Sequence, residues 1–437
     1  MILYRVKIND CEQISFKVYL GQKSRRLIIY NMAIKTVASL YKLTSWFQPK
    51  AKAFVLGQKN AFDTLTKFFH SNTHPVIWVH CASLGEFEQG RPVIEALKKE
   101  YPQFKILLSF FSPSGYEVKK NYASADCVTY LPWDTEINAT RFIEITRPCL
   151  AIFVKYEFWH NYSVQLKKKN IPLLSISCIF REDQIYFKSY GSFFRKTLTN
   201  FNHFFVQNHE SLKLLELIGI KETTLTGDTR FDRVHQIIQQ AEEIPIALNF
   251  KADQKTMVIG SCWPEDLAVL TPLINEGKLK FILAPHEPEE EFLSEIEKEL
   301  QVKVTRFSKA DSTISQSQVL LIDNIGMLSR LYRYGEFAYV GGAFNKGLHN
   351  ILEAACYGVP IFFGNKNYEK FKEATDLIKR GGAFDVGSYT DLKTTYELLN
   401  TKPESFLLAC EVTRQYVIEN LGATRKIIDY CKKYLAL

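Results

Sequence analysis

None of the nine cysteines forms a Cys-x-x-Cys pair, and several lie inside apolar runs. That spacing argues against a zinc site and reads as buried free thiols in a reducing compartment. No stretch of about 18 uncharged apolar residues occurs, so no ordinary transmembrane helix is expected. Residues 1–20 carry charges throughout and lack a continuous apolar core, so no cleavable signal peptide is expected either. Short internal repeats and low-complexity tracts are missing, which sets aside repeat arrays and tails. Acidic residues are scarce in one place only. Residues 1–70 hold 3 Asp/Glu against 12 Lys/Arg, whereas the rest of the chain holds 44 against 43. The net charge of +8 therefore belongs to the N-terminal segment. A local basic excess beside apolar residues points to an anionic membrane surface or an acidic substrate; the plainer alternative is a solvated basic helix. The basic residues alternate with bulky aliphatics and no nucleic-acid module is recognisable, so nucleic acid is not an expected partner.

What is present fits a large globular α/β protein. The 437 residues suffice for two ordinary domains, and 46% are hydrophobic. Aromatics reach 14%, mostly Phe and Tyr, which permits a sugar- or lipid-facing surface. Apolar runs such as Val76 to His80, Ile106 to Ser109, Cys149 to Val154 and Leu173 to Ser177 alternate with helical segments through Thr226. A second series runs through Thr256 to Gly260, Lys280 to Ala284, Val319 to Ile322, Phe337 to Val340 and Ile361 to Phe363. Strict β–α alternation with short links indicates doubly wound parallel sheets, with every loop that follows a strand on one rim. Two such halves suggest the GT-B glycosyltransferase arrangement, two Rossmann-like domains facing across a cleft, with a basic amphipathic helix at the N-terminus. The expected divisions are an extension over 1–26, strand-rich or disordered; a membrane-associating basic helix over 27–59; an acceptor-binding domain over 60–232; a linker over 233–255; and a donor-binding domain over 256–437, whose terminal helices are candidates to pack back on the first domain.

The stretch from Phe337 to Gly364 carries the strongest local pattern. A buried strand leads into Gly341-Gly342, and Asn350 is a good N-cap for a helix from Ile351 to Tyr357, with Glu353 placed as in a capping box. Free amides of the glycine turn and the helix start would suit a phosphate, and Glu353 would suit ribose hydroxyls. The alternative is only a well-capped β–turn–α unit. Other strand ends in the same half carry Gly260-Ser261, Pro285-His286 and Gly326-Met327-Leu328. Convergent strand-end loops on one rim suit a nucleotide. In the first half, Glu86 follows a strand in Ser83-Leu84-Gly85-Glu86 and is placed to act as general base, or is an ordinary helix-start glutamate. Glu157 lies among Tyr156, Phe158 and Trp159, which suggests a partly desolvated carboxylate. Arg230 is placed to hold a phosphate or carboxylate, or pairs with Asp228 or Asp232.

These residues occur in ordered motifs that resemble the 3-deoxy-D-manno-octulosonic acid (Kdo) transferases of lipopolysaccharide assembly. His80-Cys81-Ala82-Ser83-Leu84-Gly85-Glu86 resembles the family's His-Ala-x-Ser-x-Gly-Glu. Tyr130 to Asp134, Glu157 to Asn161, Gly227 to Asp232, Val340 to Gly342 and His349 to Glu353 resemble further motifs in the same order, and the likeness runs from about Leu27 to the C-terminus. The resemblance implies an inverting transfer of Kdo from CMP-Kdo to the tetra-acylated lipid A precursor, with no metal or other cofactor, at the cytoplasmic face of the bacterial inner membrane. It implies that Glu86 is the base and that Glu157 and Arg230 stabilise the transition state. It further implies CMP-binding segments at Pro285 and His286, at Gly326, Met327 and Leu328, and at Asn350, Ile351, Leu352 and Glu353; the strand-end residues Ser261 and Gly342 are expected to line the same CMP site. The chain departs from the family's usual residues at Lys155, Arg230, His286 and Met327. Two other readings remain at this point: a GT-B transferase using a UDP- or GDP-sugar, and a non-catalytic membrane-surface scaffold with the same fold.

Overall fold

The apolar runs become the middle of two parallel sheets. A computed structural model describes residues 10–240 and 242–436, without the side chains of 10–24 and 240. The first sheet holds β1 (Val76–Cys81), β2 (Lys105–Phe110), β3 (Cys127–Tyr130), β4 (Pro148–Val154), β5 (Leu173–Cys178), β6 (His203–Val206) and β7 (Thr223–Leu225), in the order β3-β2-β1-β4-β5-β6-β7. The second holds β8 (Thr256–Cys262), β9 (Lys280–Pro285), β10 (Val304–Arg306), β11 (Val319–Leu321), β12 (Phe337–Val340), β13 (Ile361–Gly364) and β14 (Ala383–Val386), in the order β10-β11-β9-β8-β12-β13-β14. All recorded pairings are parallel. Every residue of β1 and β5 is buried, as expected for strands covered by helices on both faces.

The strand order reverses direction between β1 and β4 in the first sheet and between β8 and β12 in the second. At such a point neighbouring crossovers leave to opposite faces and open a crevice beyond the carboxyl ends of the strands. Glu86 and Glu157 follow β1 and β4, and Ser261 and Gly342 lie at the ends of β8 and β12.

The chain divides into two compact units, residues up to Thr229 with Gly422–Leu437, and Arg230–Leu421. The helix Ala423–Leu435 belongs to the first, where Ile427, Ile428, Cys431 and Leu435 pack against Ile94, Ile106 and Phe205. The preceding helix, Pro403–Glu419, stays in the second through Tyr416 and Val417. The stretch read as a linker is not one. Phe231, Val234, Ile244, Ala247 and Phe250 are buried in the second unit's core beside Val258 and Ile282. Its helices, Thr229–Gln240 and Pro245–Lys251, read as polar because the buried face is narrow.

The N-terminal divisions also differ. Residues 1–9 of the expected extension lie outside the described residues. The backbone is helical from Asp10 to Thr44, so a strand-rich extension to residue 26 is not what forms. The basic segment over 27–59 is not one helix. A break at Ser45–Gln48 separates it from the helix Pro49–Phe69, and Pro49 at its first turn has no N–H with which to continue the preceding helix. The first helix docks through the Tyr30 hydroxyl, which donates to Asp134, and through Asn31, whose side chain accepts from Asn161 Nδ2 at 3.1 Å. Ile28, Ile29, Met32, Leu40 and Leu43 are exposed, as are Trp46 and Phe47 in the break. No helix among the described residues is long and apolar enough to cross a membrane.

Candidate active site

In the first unit the helix Leu84–Glu100 begins three residues after β1, so Glu86 lies in its first turn. A carboxylate is favoured there by the dipole of a long helix. The Ser83 hydroxyl donates to Glu86 Oε2, and Lys155 Nζ lies 3.9 Å from Oε1. Lys155 follows β4 in a left-handed conformation, φ 69°. Glu86 and Lys155 are both partly exposed, so their attraction is weak and leaves the carboxylate accessible.

Glu157, also after β4, has a side chain only 14% exposed. Its Oε2 accepts from Trp159 Nε1 at 2.7 Å and lies 3.2 Å from His80 Nε2. The fully buried His80 ring is held at its other nitrogen by Ser109, 2.9 Å from the hydroxyl and 3.1 Å from the carbonyl. Trp78 Nε1 donates to the same hydroxyl at 2.8 Å. A buried line of side chains, Trp78–Ser109–His80–Glu157–Trp159, therefore fixes one carboxylate beside the switch point. Glu86 and Glu157 share a neighbourhood: burial pushes the Cys81 thiol well up, and the two carboxylates push it further. Sequence reading found Glu157 but passed over Ser109 and Trp159 as partners; an aromatic N–H two residues after an acid was the available signal.

Arg230 belongs to the second unit, where its guanidinium lies 3.0 Å from Glu373 Oε1 in the helix Lys372–Arg380.

The second unit gathers most of the expected donor segments at the carboxyl ends of β8, β9 and β12. Ser261 sits at a register shift of β8 with φ 52°. Pro285 ends β9, and the His286 N–H donates to Cys262 O at 3.0 Å. Gly326 has φ 98° in the open loop after β11, and Met327 and Leu328 pack on the core beneath it.

The glycine turn departs from expectation. Its amides are not free: Gly341 N–H donates to Gly260 O and Gly342 N–H to Asp266 Oδ2, both at 2.9 Å. Asp266 is fully buried and also accepts from Trp263 N and the Tyr339 hydroxyl, each at 3.0 Å. It ties the start of the helix Pro264–Asn275 to the turn after β12. The helix after Asn350 is a single turn, Leu352–Ala355, rather than Ile351 to Tyr357. Asn350 Oδ1 accepts from Leu352 N at 3.3 Å, and its Nδ2 donates to Glu353 Oε1 at 3.2 Å. Glu353 thus bonds to the capping side chain. Ile351 and Leu352 are buried core residues, so they shape the loop by packing. Among the described residues no group of three or more His, Cys, Asp or Glu side chains is placed to hold a metal ion.

A family model described as 3-Deoxy-D-manno-octulosonic-acid transferase (kdotransferase) matches residues 57–233. The chain is 30% identical over 357 residues to the 3-deoxy-D-manno-octulosonic acid transferase of Aquifex aeolicus, covering 78% of this chain and 92% of that protein. Among solved structures it is similar to the UDP-GlcNAc 2-epimerase of Neisseria meningitidis bound to UDP-GlcNAc, with TM-score 0.60 and 18% identity over 82% of this chain and all of that one. It is also similar to MurG of Acinetobacter baumannii, with TM-score 0.51 and 12% identity over 82% of this chain and 99% of that one. The structural likenesses establish the GT-B fold and no more. The near-complete span of the Aquifex relative carries the identity: this chain belongs to the 3-deoxy-D-manno-octulosonic acid transferase family of glycosyltransferases.

Proposed function

We propose that the chain transfers Kdo, with inversion, from CMP-Kdo to the tetra-acylated, bisphosphorylated lipid A precursor. The setting of Glu86 carries this reading. A carboxylate in the first turn of the helix after β1, accessible and steadied by Ser83 and Lys155, suits a general base for an acceptor hydroxyl. Family membership supplies Kdo as the sugar.

In this reading Glu86 takes the hydroxyl proton as the acceptor oxygen bonds to the anomeric carbon. The bond from that carbon to the phosphate oxygen breaks, and its electron pair leaves with CMP. Positive charge develops on the sugar ring as the bond lengthens, and a fixed carboxylate opposes it best when it need not reorient. Glu157 is such a carboxylate, held by Trp159 and set against His80. Arg230 would take an anionic group of the donor in exchange for its contact with Glu373. Ser261, Pro285–His286, Gly326–Leu328, Gly342 and Asn350–Glu353 would shape the CMP site, with Glu353 on the ribose hydroxyls. A monophosphate leaving group carries less charge than a diphosphate, so no metal is assigned to the transfer.

The acceptor is an anionic lipid. The basic helical segment, with Trp46 81% and Phe47 84% exposed, suits a peripheral seat on an anionic membrane surface, assigned here to the cytoplasmic face of the inner membrane.

Replacing Glu86 by Gln keeps size and polarity and removes the base. Turnover should fall by about 10²–10⁴, as general bases contribute, with CMP affinity unchanged. Full turnover in that variant excludes the role. In a nucleotide competition panel CMP should displace the donor better than UDP or GDP; a preference for UDP would favour a different donor.

A further inference from the structure

Three aromatic side chains, Trp263 after β8, His286 after β9 and His349 in the loop after β12, make an arrangement in which Trp263 and His349 have no part in the transfer chemistry above. Trp263 is anchored by its backbone N–H, which donates to buried Asp266. Its indole lies nearly coplanar with the His349 ring, 10° between planes and 6.3 Å between centroids. Indole Nε1–H donates to His349 Nε2 at 3.0 Å. His286 lies against both rings, 4.6 Å from Trp263 at 21° and 4.4 Å from His349 at 31°. The Lys346 ammonium is 4.9 Å from the centre of the Trp263 ring. Gly342, at φ 96°, faces the same imidazole: a Cβ there would come within 2.6 Å of Cδ2 and 3.0 Å of Nε2. Glycine at 342 is therefore what admits the edge of the ring that receives the indole.

Indole N–H is a donor only. The nitrogen that accepts from it carries no hydrogen, so in neutral His349 the hydrogen belongs on Nδ1. Burial, with His286 alongside, pushes the His349 imidazole down to about 4, which keeps it neutral at physiological pH. Nδ1 lies across the ring from the Nε2–Cδ2 edge that faces Gly342. The result is a pre-set neutral N–H donor with a lysine nearby, at the switch point of the second sheet, where phosphorylated ligands bind α/β folds.

We propose that Trp263 is a positioning residue that sets His349 in its Nδ1–H tautomer, so that His349, with Lys346, binds a phosphoryl oxygen of the nucleotide donor. The proposal rests on reading the second unit as the donor site. Trp263→Phe keeps an aromatic ring and the Asp266 anchor, which uses the backbone, and deletes the indole N–H together with part of the ring area.

The test uses the full chain. Long-range ¹H–¹⁵N spectra of His349 without ligand should show hydrogen on Nδ1 in the wild type, and a shift toward Nε2–H in Trp263→Phe. Calorimetry with CMP should show affinity falling about three- to tenfold in Trp263→Phe, the worth of one net hydrogen bond, with cytidine affinity unchanged. His349→Asn, whose short amide puts a donor near the Nδ1 position, should bind CMP better than His349→Gln. An Nε2–H tautomer in the wild type overturns the proposal. So does equal CMP affinity in wild type and Trp263→Phe. No CMP binding by the wild type would overturn the donor reading and the phosphoryl contact with it, while the spectra would still report on the tautomer.

Discussion

Replacing Asp266 by Ala and by Asn separates two things its carboxylate does. In Ala the backbone N–H groups of Trp263 and Gly342 and the Tyr339 hydroxyl lose their acceptor in a fully buried place. Each unsatisfied buried donor costs about 1–3 kcal/mol, so the loss over three donors should total roughly 3–9 kcal/mol. In Asn the carbonyl can take the Oδ2 position, where both backbone donors converge. The amide nitrogen then falls at the Oδ1 position, and the Tyr339 hydroxyl can turn to accept from it. All three contacts survive as neutral bonds, weaker than charge-assisted ones, so the cost should be about 1–2 kcal/mol. Amide hydrogen exchange over residues 263–266 and 339–342 measures this locally, which matters in a chain of two units that need not unfold together. Protection should fall steeply in Asp266→Ala and slightly in Asp266→Asn. Equal loss in both variants, or none in Ala, would refute the hub role.

Burial pushes the Asp134 carboxyl up to about 6 from 3.8, against backbone donors at Asn161 and Tyr162. The folded state then holds a proton the unfolded state has released, so this contribution is full below about pH 4 and lost as pH rises through 6. Relative to Asp134→Asn, the wild type should gain up to about 3 kcal/mol between pH 7 and pH 4; a pH-independent difference in urea midpoints would contradict this. Gly57 lies in the helix Pro49–Phe69, and a Cβ there would overlap the buried Tyr130 ring. Gly57→Ala should therefore lower thermal stability by about 1–3 kcal/mol despite better helix propensity, whereas a raised Tm would show that the ring yields freely. Changing Trp46 and Phe47 to Ser should weaken sedimentation with anionic vesicles at least about tenfold, and unchanged sedimentation would move the membrane contact elsewhere.

Both sheets were legible because their central strands are near-continuous apolar runs, and that length and flanking pattern leave little else for them to be. The edge strands β10 and β14 were passed over: Val-Thr-Arg and Ala-Phe-Asp-Val are short and half-polar, and only their neighbours make them strands. Residues 233–255 misled because two short helices with a narrow buried face have the composition of a linker. Glu86 and Glu157 could be found from strand ends and flanking residues. The fate of the Gly341–Gly342 amides could not, because their partner Asp266 lies 76 residues from Gly342 and looks in sequence like an ordinary helix-start acid. His286 and His349 were legible as loop residues, but their contacts with Trp263 depend on β8, β9 and β12 being brought to one crevice.

The central claim is a transfer chemistry, and one reaction tests it. Purified full-length protein is incubated with CMP-Kdo and the tetra-acylated lipid A precursor, and the lipid fraction is read by mass spectrometry. The account predicts a lipid product heavier by one or more Kdo units, formed with one CMP released per unit and only when both substrates are present. Folded protein that binds CMP yet yields no Kdo-lipid, or that transfers sugar from a UDP donor instead, would contradict it.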